Sequence, residues 1–191
     1  GTRITWFDSP VSAAMPFQDA KGVDALPGHI VRVDQKLRRE KGIFTEHFSF
    51  LKSITARTPK VSVPSPCMLH FWGGRAAIDA AVYPDLAEFW DDAVRAWVAE
   101  LQDLHERGCT YVQIDDVTFA LLCDPRGQDA LRARGDDPHQ IIETYADVLN
   151  RIAAGAPEGM TLAMHMCRGN NRGKWMASGG YEYISEVLFR N

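Results

Sequence analysis

The sequence lacks the features that mark several large classes of protein. No uninterrupted apolar run is long enough to span a membrane, and Gly1-Thr2-Arg3 does not begin like a secretion signal, so no membrane partner is expected. The formal net charge is −4, and no basic stripe interleaved with aromatic residues is present. Nucleic acid is therefore not expected as a partner either.

Cysteine is scarce, and the common catalytic motifs are missing. Four cysteines in 191 residues do not indicate a disulfide framework, which favours a reducing, cytoplasmic setting. The chain has no Walker motif, no dinucleotide fingerprint and no G-x-S-x-G elbow, so it matches neither the common nucleotide-binding motifs nor the α/β-hydrolases. Hydrophobic residues make up 46% of the chain, which is enough for a globular core.

The hydrophobic pattern divides the chain into two parts. Residues 1–58 are broken up by proline and glycine and are predicted to be irregular with some β structure. Within them, residues 29–34 alternate like a strand, whereas residues 44–54 fit either a strand or a short helix. Residues 59–191 are predicted to form a regular βαβαβα unit, and both parts are expected to belong to one domain.

The regular part alternates between the two periodicities of secondary structure. Strands are predicted at 61–63, 111–115 and 161–166, and helices within 79–107, 137–152 and 181–189. This order predicts adjacent parallel strands joined by right-handed crossovers. The fold class is therefore α/β.

Polar or reactive side chains follow each predicted strand, where sites form in parallel α/β proteins. Ser65 stands at the end of the first strand, Asp115 and Asp116 at the end of the second, and His165 and Cys167 at the end of the third. His165 and Cys167 are two residues apart on a strand, so they share a face, and imidazole with thiolate suits Zn²⁺. Two alternatives stay open: both residues are ordinary core side chains, or Asp116 only caps the next helix.

Several short motifs, taken in order, resemble one known family. They are Pro64-Ser65-Pro66, Leu69-His70-Phe71, Gln113-Ile114-Asp115-Asp116, Gly135-Asp136-Asp137-Pro138 and the run from His165 to Asn170. This combination is similar to the cobalamin-independent methionine synthase superfamily, and most to its shorter, single-barrel, methionine-synthase-like proteins. The resemblance covers nearly the whole chain and is strongest over residues 57–189.

The resemblance implies a TIM (β/α)₈-type barrel with a zinc ion at its C-terminal face. In that family a methyl group passes from methyltetrahydrofolate to a zinc-bound thiol, in methionine biosynthesis. By similarity, His165 and Cys167 would be zinc ligands and Asp115 would contact the amino group of homocysteine. Ser65 and Phe71 would help to hold the folate ring.

The chain also departs from the family pattern. Asp116-Val117 stands where methionine synthases have Glu-Pro, so recognition of homocysteine itself is open. The family's other zinc ligands, a Glu and a second Cys, are expected beyond Asn191, with Cys67 and His70 as nearer candidates. The chain is thus expected to hold only the central part of a barrel, about three consecutive βα units truncated at both ends. Its open strand edges predict a longer protein or a homo-oligomer.

Three functions from different classes remain. The first is a zinc-dependent methyl or alkyl transferase acting on a small-molecule thiol, with a folate-type donor or an epoxide. The second is a barrel lyase related to uroporphyrinogen decarboxylase, which needs no metal and would use Asp115 and arginines on carboxylates. The third is a non-catalytic truncated barrel, and zinc content separates the first from the other two.

Overall fold

The chain folds into a parallel three-stranded sheet packed against helices, with a small hairpin near its start. The structure, a computed structural model, describes residues 10–24 and 31–190. The elements in chain order are α1 (Pro10–Ala14), β1 (Phe17–Asp19), β2 (Gly22–Asp24), α2 (Thr45–Ser53), β3 (Val61–Pro64), α3 (Met68–Phe71), a 3₁₀ turn (Gly74–Ala77), α4 (Leu86–Glu106), β4 (Tyr111–Asp116), α5 (Thr118–Leu122), α6 (Pro125–Arg134), α7 (Pro138–Ala154), β5 (Thr161–Met166) and α8 (Glu182–Leu188).

The predicted order of parallel strands is confirmed. The sheet has the order β3-β4-β5, and both neighbouring pairs run parallel. Val61 pairs with Val112, and Val63 pairs with Ile114. These four apolar side chains therefore lie on one face of the sheet. Within the described residues the sheet has three strands and does not close into a barrel.

The two long helices begin and end where their sequences indicate. The Asp85 carboxylate accepts a hydrogen bond from the Ala87 N–H at the start of α4, and Gly108, with a φ of +88°, follows its end. At the start of α7, the Asp137 carboxylate accepts from the His139 N–H, and Pro138 occupies the first turn. These caps fix the lengths of the two helices, which pack side by side.

The core lies between the sheet and these helices. It combines the inward rows of β3 and β4 with aromatic side chains from α3, α4 and α7, including Phe71, Phe89, Trp90 and Tyr145. Trp90 contacts Phe89, His70 and Tyr145 with ring centroids 4.7, 5.5 and 5.8 Å apart. One face of the sheet is therefore buried, and its other face carries half-buried and exposed side chains.

The first part of the chain differs from its prediction. Residues 1–9 and 25–30 lie outside the described residues, so the predicted strand at 29–34 can be followed only from Val31. There, Val33 forms a single bridge with Ile78 and no strand. Residues 44–54 resolve to a helix, α2, and α1 adds a second helix to a segment predicted to be irregular or β.

Among residues 10–24 and 31–190, no helix is both long enough and apolar enough to cross a bilayer.

Candidate functional site

The parallel sheet has two chemically different faces at its carboxyl end. Along β4 the side chains of Val112, Ile114 and Asp116 are buried, whereas Gln113 and Asp115 are half-buried. We call the face that carries Gln113, Asp115 and His165 the open face. It is the face turned away from the helices, and it is the place where a ligand could reach the strands.

Asp115 and His165 lie side by side on the open face. They are register partners in the β4–β5 pair, and His165 is exposed. The N–H of Cys167 donates to the Asp116 carbonyl oxygen at 2.8 Å, so the parallel ladder continues one residue beyond β5. Continued alternation then gives Cys167 the same facing as His165. The strand ladder therefore places Asp115, His165 and Cys167 at the same end of the sheet.

The Asp115 carboxylate is held by a neighbour on its own strand. Gln113 donates from Nε2 to Asp115 Oδ1 at 2.5 Å, and Lys60 donates from Nζ to Gln113 Oε1 at 2.8 Å. Sequence reasoning places Gln113 on the face of Asp115 but misses Lys60. The signal was present, because Lys60 directly precedes the buried Val61 and so alternates onto the open face.

Ser65, predicted to hold a folate ring, lies on the opposite side of the sheet from Asp115. It is 2% exposed, and its Oγ accepts a hydrogen bond from the Cys67 N–H. It neighbours Asp116, whose Oδ1 accepts from the Thr118 hydroxyl at 2.7 Å and the Phe119 N–H at 3.1 Å. Asp116 thus holds the first turn of α5 from the residue before its N-cap, and burial raises the pKa of its carboxyl against the opposing effect of the Ser65 and Thr118 hydroxyls.

Phe71, the second residue predicted to hold a folate ring, is a core side chain. It is fully buried, with its ring edge-on to Trp72 at a centroid distance of 5.1 Å. Its carbonyl oxygen accepts a hydrogen bond from Arg134 Nη1. Neither Ser65 nor Phe71 therefore reaches the open face, because the alternation of β3 and the turn into α3 direct both toward the helices.

Cys67 and His70, suggested as nearer zinc ligands, also lie on the helix side. His70 Nδ1 is 3.0 Å from the Tyr145 hydroxyl, and burial, assisted by the charge of Arg134, lowers the pKa of His70 to about 4. Cys67 is completely buried, and this raises the pKa of its thiol well above the usual range. Across residues 10–24 and 31–190, no group of three or more His, Cys, Asp and Glu side chains is placed to hold a metal ion.

The segment after β5 that carries Cys167 is fastened to β1 and to the residue that caps α6. The backbone of Trp175 exchanges two hydrogen bonds with Gln18 of β1, at 2.7 and 3.0 Å. Farther along, the N–H and hydroxyl of Ser178 both donate to Asp124 Oδ2. Sequence reasoning missed Asp124, whose one visible signal is its position before Pro125, as a helix cap. These contacts fix the path of the chain beside the open face.

Comparison with known proteins gives relatives but no family model. No family model matches the chain. YxjH of Bacillus subtilis is 36% identical over 183 residues, which is 91% of this chain and 46% of YxjH. YxjG of the same organism is 36% identical over 146 residues, which is 75% of this chain and 38% of YxjG. Both relatives are named as uncharacterized proteins, so the similarity to them does not indicate an activity.

One solved structure has the same arrangement of chain. It is the crystal structure of the "Putative Vitamin-B12 Independent Methionine Synthase" from Listeria monocytogenes, with a TM-score of 0.66 and 30% sequence identity. The match covers 85% of this chain and 46% of that one. The chain spans less than half the length of each of these relatives. Its sequence and fold are thus similar to part of a methionine-synthase-like protein.

Proposed function

We propose that this chain forms the central part of a methionine-synthase-like barrel whose full-length protein is a zinc-dependent methyltransferase. The reaction would transfer a methyl group from methyltetrahydrofolate to the sulfur of homocysteine or a related thiol. The observation that carries this proposal is the pairing of Asp115 with His165 on the open face, with Cys167 following at the same strand end. The likeness to the Listeria protein supports it.

The donor atoms at the strand end suit zinc. Within the described residues, neither the imidazole of His165 nor the thiol of Cys167 makes a hydrogen bond or ion pair, so both stay available as ligands. Imidazole nitrogen and thiolate sulfur are common zinc ligands, and a complete site takes four ligands. The remaining ligands are expected from parts of the full-length protein outside this chain. Bound zinc would lower the pKa of a substrate thiol, which makes the sulfur nucleophilic at neutral pH.

Asp115 supplies the recognition of the substrate. Its Oδ1 accepts from Gln113, and its Oδ2 accepts no hydrogen bond from the described residues. The free oxygen can therefore accept a charge-assisted hydrogen bond from a substrate ammonium group. An amino acid that carries a thiol, such as homocysteine, offers both groups: an ammonium for Asp115 and a sulfur for the metal.

Further strands would complete the site. Within the described residues β3 and β5 each have one unpaired edge, and such edges are normally covered in stable proteins. We propose that strands elsewhere in the same protein, or a second copy, pair with these edges and form the barrel wall. We propose a reducing, cytoplasmic setting for this chemistry, in which the four thiols stay free. The methyl donor rests on the resemblance alone, since Ser65 and Phe71 are buried.

Two variants of the full-length protein test the assignment of roles. Cys167→Ala removes a thiolate ligand and is expected to lower zinc affinity by more than 10-fold, about 1.4 kcal/mol or more. Asp115→Asn is expected to leave zinc content intact and to weaken binding of homocysteine. Metal analysis and titration calorimetry measure both effects, with Cys109→Ala, a thiol far from this strand end in sequence, as the control for losing a cysteine.

The opposite pattern would contradict the proposal. If Asp115→Asn strips the metal and Cys167→Ala does not, the roles of the two residues are wrong. A full-length protein that purifies without zinc and does not bind added zinc would instead favour a metal-independent lyase or a non-catalytic barrel.

A further inference from the structure

Lys60, just before β3, forms a chain of hydrogen bonds with Gln113 and Asp115 of β4. Lys60 Nζ donates to Gln113 Oε1 at 2.8 Å, and Gln113 Nε2 donates to Asp115 Oδ1 at 2.5 Å. The ammonium of Lys60 also lies 5.8 Å from the centre of the Tyr111 ring. All four residues belong to the open face or its edge, so this chain is separate from the buried core.

The direction of the hydrogen bonds follows from the chemistry of the two ends. An ammonium group can only donate and a carboxylate can only accept. The Gln113 amide must therefore turn its oxygen to Lys60 and its NH₂ group to Asp115. The reverse orientation would place the amide oxygen against the carboxylate and the NH₂ group against the ammonium, and both contacts would be repulsive. Lys60 thus selects the amide orientation that holds Asp115.

We propose that Lys60 and Gln113 are a positioning pair that fixes the Asp115 carboxylate for a substrate ammonium group. This inference rests on the proposed function and adds to it the residues that set its selectivity for amino thiols. Gln113 engages Asp115 Oδ1 and leaves Oδ2 for the substrate. A carboxylate held in one rotamer loses less conformational freedom on binding than a free one, which strengthens the selectivity for the charged ligand.

Selectivity between two thiols measures this role. Homocysteine carries an ammonium group, and 4-sulfanylbutanoate has the same chain and carboxylate without it. Calorimetry on the zinc-loaded full-length protein gives the ratio of their affinities. Gln113→Leu is expected to lower this ratio about three- to tenfold, the size of the effect of one ordinary hydrogen bond. Binding of 4-sulfanylbutanoate and zinc content are expected to stay unchanged.

Matched variants distinguish positioning from a general structural effect. Lys60→Met should lower the affinity ratio less than Gln113→Leu does. Lys60→Arg keeps a cationic donor and should leave the ratio near its wild-type value. Gln140→Leu and Lys41→Met, at exposed positions, are the controls and should change nothing. In an Asp115→Asn background, Gln113→Leu should have no further effect, because the group that it positions has been replaced.

The outcomes separate this inference from the proposed function. If Asp115→Asn abolishes the selectivity and Gln113→Leu leaves it intact, the positioning role is wrong and the function stands. If Asp115→Asn has no effect on selectivity, the role of Asp115 in the proposed function fails. Where Asp115→Asn does lower the selectivity, the crystal structure of Gln113→Leu gives a second test of the positioning role: an Asp115 side chain that keeps its rotamer overturns it, and a rotated or disordered one supports it.

Discussion

Replacing Asp124 by Asn is expected to destabilise the protein through one buried carboxylate that joins two distant segments. Asp124 is 1% exposed and caps α6. Its Oδ1 accepts from the Arg126 N–H and Nε, and its Oδ2 accepts from Arg126 Nη2 and from the N–H and hydroxyl of Ser178. Asparagine keeps the shape but lacks the charge and replaces one acceptor oxygen with a donor.

The pKa of Asp124 gives the magnitude. Burial alone would raise this pKa, but the hydrogen bonds from Arg126 and Ser178 outweigh burial and lower it from 3.8 to about 2. A shift of this size corresponds to about 2 kcal/mol of stability at neutral pH. Because the folded state holds the ionised form, this stability is present above the unfolded pKa near 3.8 and is lost as the pH falls toward 2. At pH 3 roughly half of it remains.

Urea denaturation of both proteins from pH 7 to pH 3 measures this effect. The wild type should exceed Asp124→Asn by about 2 kcal/mol at pH 7, equivalent to a melting temperature higher by about 4–8 °C. The difference should shrink steadily below pH 4. Asp129→Asn, which removes an exposed carboxylate paired with Arg132, is the control and should cost less than about 0.5 kcal/mol. A difference that is constant across this pH range would refute the assignment to the Asp124 charge.

Two further predictions concern the core. Burial lowers the pKa of His70 from 6.5 to about 4, so the folded state holds the neutral imidazole. The contribution of this group to the free energy of unfolding is fully present above pH 6.5. It falls by about 3 kcal/mol as the pH drops from 6.5 to 4. In His70→Gln the dependence of unfolding free energy on pH should be flatter between pH 6.5 and 4, and an unchanged slope in urea titrations would show that another group is responsible. Ile152→Ala, at a fully buried position of α7, should cost about 2–5 kcal/mol in thermal or urea unfolding, whereas Ile54→Ala, 65% exposed, should cost less than about 0.5 kcal/mol. Equal losses at the two sites would place the core elsewhere.

Local patterns predicted most of the regular half of the fold. The apolar repeat of α4, the Asp-Pro start of α7 and the β-branched run of β4 each fix a backbone preference within a few residues, independently of the rest of the chain. Alternation along β5 also placed His165 and Cys167 on one face before any partner was known. The helices α5 and α6 were missed because α5 is a single short turn buried on all sides and α6 has too few apolar residues to show a clear period.

Tertiary structure alone decided which face of the sheet is covered and which distant side chains meet. Ser65 and Asp115 both lie at the carboxyl ends of parallel strands, yet one is buried and the other lies on the open face, because the helices cover one side only. The contacts of Lys60 with Gln113, 53 residues apart, and of Asp124 with Ser178, 54 residues apart, depend on strand register and on the path of the chain after β5. A one-dimensional pattern encodes the direction of a side chain relative to its own backbone, whereas the partner of that side chain is set by packing between elements.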